Sequence, residues 1–427
     1  MSIAAFGVLK RRAVLGYGVF ALPLGFIALP IYVHVPHLYS SVFGMPLAMV
    51  GAVLLAARLW DALIDPAIGV LSDRLPQRKR TLLVALPALA LGLWGLLRPL
   101  TSTPGALWLV CMLGLVYLGY SLASVSYNAW GAELSGDVDE RTSITATREG
   151  FGLVGVVIAS VLPGLLSESV REGMAQLAPC FVVILAASAA LTLGLAPSHA
   201  AGSTQLANRA PAGYAALLVP LRSLSFRRLL RVFAISGIAA AVPASLLLFF
   251  VADVLQAEAQ SGAFLAIYFV CAALGLPVWV WAARRIGKVH AWLIAMGLSI
   301  VVFVWAGSLG AGDRVAFSVI CALSGATLGA DLALPPSILA DVLSRDKLGA
   351  GASFGWWNFV TKLNLALAAG LALPLLQWLH YTPGVRDATG LRALAWVYMG
   401  VPVVLKLMAA WLLWRDRHQI AGLNLEN

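Results

Sequence analysis

Long apolar runs recur along this sequence and constrain its fold more than any other feature. A helix that crosses a bilayer needs about 20 apolar residues, and the chain of 427 residues offers twelve such runs. Their approximate limits are 13–35, 44–72, 81–99, 105–133, 145–166, 174–196, 229–252, 261–283, 289–309, 315–341, 352–379 and 391–413. None shows the alternation over about 10 residues that marks a membrane β-barrel strand. The sequence therefore predicts an all-α polytopic membrane protein with twelve transmembrane helices.

The composition excludes the common soluble classes. Hydrophobic residues make up 61% of the chain and charged residues 11%, whereas about 25% of a soluble domain is charged. A chain this apolar is not expected to be a soluble enzyme, a nucleic-acid-binding protein or a disordered segment. The four cysteines all lie within apolar runs and lack the spacing of metal ligands, so packing is their expected role.

The net charge of +10 is distributed unevenly over the predicted loops. If the N-terminus lies inside, nineteen basic residues fall on the cytoplasmic side and five on the outer side. This positive-inside bias predicts that both termini are cytoplasmic. The expected location is the cell inner membrane. The basic excess then sets orientation and contacts anionic lipid, so the lipid bilayer is an expected partner and nucleic acid is not.

The chain reads as two similar halves. A polar stretch at 197–228 forms a predicted middle loop between six-span bundles at 1–196 and 229–427. Each half closes its fourth span with an acidic residue, Glu133 or Asp341, and follows its second span with a basic loop. Such a 6+6 repeat with pseudo-two-fold halves is the arrangement of major facilitator transporters, whose binding site lies near mid-membrane.

The basic loop after the second span carries a recognisable motif. Gly69, Asp73, Arg74 and Arg78 follow the pattern G-x-x-x-D-R-x-x-x-R-K/R, which resembles the gating loop of the major facilitator superfamily. The glycine permits close packing against a neighbouring helix, and the aspartate can hold that contact by ion pairing. The alternative is a plain basic loop that anchors the helix end.

Three ionisable residues share one face of the predicted second span. Asp61 and Asp65 follow Arg58 by three and seven residues, a spacing that places all three on one helix face. Each costs about 2.5–3.5 kcal/mol at mid-bilayer, and two carboxylates one turn apart repel each other unless a cation joins them. This predicts a cation-coupling site for H⁺ or Na⁺, with Asp61 and Asp65 as the ligands of any Na⁺. The alternative is that Arg58 forms an ion pair with one of the acids and that this pair has only a structural role.

Around these acids the sequence resembles the glycoside–pentoside–hexuronide:cation symporters, the melibiose permease group of the major facilitator superfamily. The stretch Ala57–Ala62 followed by Asp65-Pro66 is similar to the helix II signature of that family. Further similar stretches lie at the fourth-to-fifth and tenth-to-eleventh spans. The residues that carry them are Tyr127, Asn128, Ala129, Glu133, Leu134, Asp137, Glu140, Arg141, Thr142, Arg148, Leu334, Pro335, Ser337, Ala340, Asp341, Gly351 and Lys362.

The resemblance implies roles for individual residues. Asp61 and Asp65 match the two acids that bind the coupling cation in the family. Arg148 matches an arginine at the sugar site, and Lys362 matches a lysine near the cation site. The family also implies transport of a small organic solute by alternating access.

This sequence departs from the family pattern at three places. Ile64 stands where sodium-coupled melibiose permeases have an asparagine, which removes an oxygen ligand and favours H⁺ over Na⁺. Leu24 and Gly25 replace a lysine and a sugar-binding aspartate, and Ser124 and Asn128 replace another aspartate and a tryptophan. The grip on a galactoside is therefore absent, and the sequence does not identify a sugar.

Other polar and aromatic residues within the spans complete the predicted substrate site. An intramembrane carboxylate such as Asp331 is a functional candidate, and aromatic faces suit sugar rings, although packing is an alternative for each aromatic residue. Glu149 is not expected to share a helix face with Arg148, and Lys406 is expected to pack or snorkel. The predicted substrate-binding residues are Arg148, Tyr127, Asn128, Asp331, Trp356, Trp357 and Asn358.

These observations predict a secondary symporter that imports a small organic solute, preferentially a sugar or glycoside, together with H⁺ rather than Na⁺. The alternative within transporters is a symporter for a non-sugar solute such as a lysolipid or another amphiphile. A membrane prenyltransferase would need a second D-x-x-x-D motif, which the sequence lacks, and a receptor or scaffold would not need the acid pair. We expect no enzymatic activity, no cofactor besides the coupling ion, and a monomer.

Overall fold

The computed structural model describes residues 11–75, 77–101, 103–167, 169–197, 215–382, 385 and 387–422. Both ends of the chain and residues 198–214, which form much of the predicted middle loop, lie outside the described residues. The predicted cytoplasmic position of the termini therefore falls on residues that the structure does not describe.

Helices account for nearly all of the described residues, and no strand occurs among them. Twelve long helical segments follow the twelve predicted apolar runs, and we call them the first to the twelfth span. In chain order they are Arg11–Gly18 continued by Ala21–Leu29, Leu47–Arg74, Arg78–Leu97, Ala106–Glu133, Val138–Leu166, Val170–Leu195, Leu224–Phe249, Ser261–Ile286, Lys288–Ala306, Arg314–Asp346, Ala350–Trp378 and Ala388–Ala421. The predicted all-α architecture is confirmed.

The second span differs from the others in its charge. Eleven helical segments of the described chain are long and apolar enough to cross a membrane. The second span is also long enough, with 28 residues, but it contains Arg58, Asp61, Asp65, Asp73 and Arg74. A membrane-spanning helix that carries this much charge is a place where function is expected.

The chain divides into two compact units. The first comprises Met1–Pro220 and Lys347–Phe359, and the second comprises Leu221–Asp346 and Val360–Asn427. The beginning of the eleventh span thus packs with the first unit, although it comes late in the sequence.

The same helix pairs pack together within each unit. The fourth span contacts the second and third spans, and the tenth contacts the eighth and ninth. Likewise, the third span packs on the sixth and the ninth packs on the twelfth. This internal correspondence is what a 6+6 repeat produces.

Small residues allow these helices to approach closely. A Cβ atom on Gly92 of the third span would lie 2.7 Å from the backbone nitrogen of Val116 in the fourth span. In the second unit, a Cβ on Gly275 would lie 2.6 Å from the carbonyl oxygen of Ala326. Contacts of this kind hold membrane helices together, because lipid tails are as apolar as the helix surfaces.

Candidate functional site

The acid pair of the second span is buried inside the first unit. Asp61 is 2% exposed and Asp65 is fully buried, while Arg58 on the same helix is half-buried. The hydroxyl of Ser121 in the fourth span donates a hydrogen bond of 2.6 Å to Asp61 Oδ1. The fourth span therefore places the hydroxyl oxygen of Ser121 beside Asp61. A cation bound at Asp61 could also contact this oxygen.

Glycines bring the start of the eleventh span close to this stretch of the second span. A Cβ on Gly355 would lie 2.6 Å from the carbonyl oxygen of Asp65. One helical turn further along, Gly69 and Gly351 face each other so closely that neither position has room for a side chain. The two helices are thus in backbone contact beside the acid pair.

Asp73 holds the same two helices together at the end of the second span. Its carboxylate accepts hydrogen bonds from the backbone N–H of Gly351, at 2.7 Å, and of Ala352, at 2.8 Å. Those groups belong to the first turn of the eleventh span, whose N–H groups have no partner within their own helix. Asp73 therefore caps this helix from a distance in sequence, and its negative charge suits the positive end of the helix dipole.

Arg78 links this cap to the fourth span. Its guanidinium pairs with Asp73 at 2.9 Å and with Glu133 at 2.6 Å, and it also donates to the Ser72 carbonyl at 2.7 Å. The side chain of Arg78 is buried, whereas that of Arg74 is exposed. Within the loop motif, Asp73 and Arg78 thus form the contacts between helices, and Glu133 belongs with them.

The second unit repeats this ion pair. Lys288 at the start of the ninth span lies 2.5 Å from Asp341 at the end of the tenth span. Arg78 and Glu133 occupy the same places in the first unit, at the start of the third span and the end of the fourth. The two halves therefore resemble each other in their side-chain contacts as well as in their helix packing.

Arg148 of the fifth span lies at the centre of a second polar cluster. The guanidinium donates to Glu149 Oε1 at 2.6 and 3.0 Å and to Asn128 Oδ1 at 2.7 Å. Glu149 and Arg148 are adjacent in sequence, so their Cβ atoms point to different faces of the helix, as expected. Their long side chains nevertheless meet and form an ion pair at 2.6 Å.

Asn358 of the eleventh span bridges two residues of the fourth span. Its Nδ2 donates to Ser124 Oγ at 2.9 Å, and its Oδ1 accepts from Asn128 Nδ2 at 3.4 Å. Ser124 in turn donates to the carbonyl oxygen of Ser121 at 3.4 Å. Arg148, Asn128 and Asn358, all predicted to bind substrate, are thus brought together. Ser124 places them beside Ser121, the residue whose hydroxyl donates to Asp61.

The three aromatic candidates, Tyr127, Trp356 and Trp357, all lie in the first unit. Tyr127 is buried, stacks on Tyr17, and donates to the carbonyl oxygen of Tyr17 at 2.5 Å. The indole of Trp356 donates to the carbonyl oxygen of Leu217 at 2.8 Å, and Trp357 is 5% exposed. Tyr127 and Trp356 thus make hydrogen bonds to the protein backbone, and Trp357 is buried.

Asp331 lies in a separate polar cluster in the second unit. Lys406 of the twelfth span pairs with Asp331 Oδ2 at 2.6 Å and donates to Ser236 Oγ at 2.9 Å. The indole of Trp292 donates to Asp331 Oδ1 at 2.8 Å. Lys406 is buried and paired with a carboxylate, so its ammonium group does not snorkel, whereas the expected packing role agrees with its burial. Lys362 is half-buried in the second unit.

The described residues contain no group of three or more His, Cys, Asp and Glu side chains that could hold a metal ion. A Na⁺ ion at Asp61 and Asp65 would therefore need further oxygens from hydroxyl or carbonyl groups, of which Ser121 supplies one candidate.

A family model described as MFS/sugar transport protein matches residues 14–417, nearly the whole chain. The chain belongs to this family. The resemblance to the glycoside–pentoside–hexuronide:cation symporters is thereby confirmed, and the protein is a multi-pass membrane protein of a transporter family.

Curated relatives share parts of the sequence. The chain is 28% identical to the inner membrane symporter YicJ of Escherichia coli over 163 residues, which are 36% of this chain and 35% of YicJ. The matched region thus spans about a third of that relative. The chain is also 22% identical to the sodium-dependent lysophosphatidylcholine symporter 1-A of Danio rerio, over 78% of this chain and 71% of the relative.

Solved structures show the same fold. The fucose:proton symporter FucP of Escherichia coli superposes with a TM-score of 0.69 at 15% identity, over 93% of this chain and 98% of FucP. A bacterial homologue of the iron transporter ferroportin superposes with a TM-score of 0.70 at 16% identity, over 95% of this chain and 99% of that structure. The predicted major facilitator fold is confirmed.

Sequence reasoning missed Ser121, and it named Ser124 and Lys406 without assigning either residue to a site. Ser121 and Ser124 are hydroxyl groups within an apolar span, and Lys406 is a lysine within another. Polar residues in such runs are a usable signal, but their partners are set by contacts between helices that no spacing rule predicts.

Proposed function

We propose that the protein is a cation-coupled symporter that imports a small organic solute by alternating access, without enzymatic activity. The observation that carries this proposal is the buried pair Asp61 and Asp65, one helical turn apart in the second span. Two buried carboxylates in one place favour the uptake of a positive charge. Binding of a cation there and of solute near Arg148 would each tighten the other, as coupling requires.

The coupling ion we propose is H⁺ rather than Na⁺. Ile64 offers no oxygen between the two acids, and a hard cation is held by several oxygen ligands. A proton needs a single carboxylate oxygen, so the acid pair with Ser121 suffices for it.

The solute we propose is a sugar or glycoside. The amides of Asn128 and Asn358 both donate and accept hydrogen bonds beside Arg148, and hydroxyl groups of a solute can do the same. The solute is then the small-molecule partner of a monomer in the inner membrane, with both termini cytoplasmic.

A lysolipid or related amphiphile is the second candidate. The relative from Danio rerio, named as a lysophosphatidylcholine symporter, matches 78% of this chain, more than twice the share that YicJ matches. The missing galactoside-binding acids at Gly25 and Ser124 fit such a solute.

The test is uptake by proteoliposomes of radiolabelled D-xylose, methyl β-D-glucoside, D-glucuronate and lysophosphatidylcholine. Each is measured without a gradient, with an imposed pH gradient, and with an imposed Na⁺ gradient. We expect the pH gradient to accelerate one of the sugars and Asp65→Asn to remove that acceleration. Uptake that ignores both gradients and survives Asp65→Asn unchanged would overturn the proposal.

A further inference from the structure

Glu149 occupies the edge of Arg148 on which an anion would bind. The Nε and Nη2 atoms of the guanidinium both donate to Glu149 Oε1, at 3.0 and 2.6 Å. Arginine holds carboxylates and phosphates with two such neighbouring nitrogens. The third nitrogen, Nη1, donates to Asn128 Oδ1 at 2.7 Å. An anion that takes up two of the three nitrogens therefore has to compete with Glu149.

The pair of Arg148 and Glu149 is electrically neutral and largely withdrawn from solvent. The side chain of Arg148 is 9% exposed and that of Glu149 is 25% exposed. An anionic solute bound beside this pair would leave a net negative charge where little water reaches it, whereas an uncharged solute would leave the charges balanced. Uncompensated charge is costly when it is withdrawn from water. The cluster thus disfavours a negative charge on the solute.

Glu149 still offers an acceptor to an uncharged solute. The hydrogen bonds to Arg148 use its Oε1 atom, which leaves Oε2 able to accept from a hydroxyl group. An ionised carboxylate accepts hydrogen bonds and donates none. The second oxygen of Glu149 therefore selects a hydroxyl group over another carboxylate.

The pair also does not depend on how the helices are arranged. Arg148 and Glu149 are neighbours in the fifth span, so a movement of one helix against another leaves them together. The ion pair between Arg78 and Glu133, in contrast, joins two different spans. Discrimination by Glu149 is therefore expected to hold in each state of a transporter that moves its helices as rigid bodies.

We infer that Glu149 is a specificity-determining residue, and that the site at Arg148 takes uncharged polyhydroxyl solutes and rejects uronates and other anions. The inference rests on the proposed function for the position of the solute beside Arg148. It deepens that function, because it divides sugars into a neutral class that binds and an anionic class that does not. The same carboxylate disfavours a phosphate group at this position.

The test compares two solutes that differ in charge and hardly in shape, D-glucuronate and D-glucuronamide. D-galacturonate and its amide form a second pair with an epimeric sugar ring. Binding to the purified full-length protein is measured by isothermal titration calorimetry near neutral pH, without any gradient. We expect the parent to bind the amide of at least one pair about tenfold more tightly than the acid, or better.

Glu149→Gln removes the negative charge and keeps the length of the side chain. Because Arg148 then carries an unbalanced positive charge, we expect the affinity for the uronate to rise by about tenfold or more. Glu149→Asp keeps the charge and should keep the preference for the amide. Glu172→Gln makes the same substitution at an exposed residue of the sixth span, and as the matched control it should leave the preference unchanged.

The outcomes separate this inference from the proposed symport. A parent that binds the uronate as tightly as the amide overturns the inference, and this comparison needs no variant to fold. A folded Glu149→Gln protein that still prefers the amide also overturns it. If the parent binds none of the four solutes, uronate binding by Glu149→Gln supports the inference and its absence overturns it. Uptake that ignores the pH gradient overturns the proposed symport alone, since the binding preference is measured without a gradient.

Discussion

At the scale of single residues, the ion pair between Asp331 and Lys406 is best explained by a contribution to stability rather than by solute binding. Both oxygens of Asp331 are engaged, by Lys406 and by Trp292, and the lysine side chain is 6% exposed. A carboxylate with two firm partners is poorly placed to exchange them for a solute. We therefore expect its chief role to be in holding the helices of the second unit together.

Removing one partner of this pair should destabilise the protein. Asp331→Asn leaves a buried ammonium group without its counter-charge, which costs about 3–5 kcal/mol. The double variant Asp331→Leu with Lys406→Met leaves no buried charge and should recover most of that loss. Thermal unfolding of the purified protein measures both, and Lys347→Met, at an exposed lysine, is the control. A single variant as stable as the parent would contradict this account.

Residue types were predictable from the sequence and their partners were not. The acid pair, Arg148 and Asp331 stand out because charges within apolar runs are costly. Lys406 meets an aspartate 75 residues away, and Asp73 meets amides 278 and 279 residues away. Such pairs depend on which helices pack together, and the sequence of one chain gives no distances between helices.

At the scale of helices, glycine decides where the second and eleventh spans touch. Gly355 lies against the backbone of Asp65 and Pro66, whereas Gly370, in the same helix, faces open space. The sequence predicted a close approach at Gly69 from its motif, but it could not say which helix comes near.

This contrast predicts opposite effects for the same substitution. Gly355→Ala places a methyl group where the helices meet, which should push them apart and lower the Tm by several degrees. Gly370→Ala should leave the Tm unchanged or raise it, because alanine favours a helix by about 1 kcal/mol over glycine. Thermal unfolding of both variants checks this, and an equal Tm for the two would mean that the contact at Gly355 contributes nothing.

At the scale of the whole molecule, the repeat was the most predictable feature. The twelve apolar runs became twelve helical segments, and the acid that closes the fourth span of each half found a basic partner in both units. The number of spans and the repeat can be predicted from hydropathy and charge spacing. This is possible because every span satisfies its own backbone hydrogen bonds by forming a helix.

The orientation in the membrane remains a prediction from the charge bias. Cysteines introduced at Thr101 and Ser344, both exposed, should lie on opposite sides. In intact cells an impermeant maleimide should label Thr101→Cys, and it should label Ser344→Cys after the membrane is permeabilised. The native cysteines are first replaced by alanine to remove background. The reverse pattern would contradict the predicted cytoplasmic termini.

The central claim is that the acid pair carries a proton together with the solute. Proteoliposomes loaded with a pH-sensitive dye measure this directly when the transported solute is added outside without any imposed gradient. We expect the lumen to acidify with the parent protein and to stay unchanged with Asp65→Asn, while Asp65→Asn still exchanges labelled solute across the membrane. Solute entry into parent proteoliposomes without acidification, or equal acidification with Asp65→Asn, would contradict the claim.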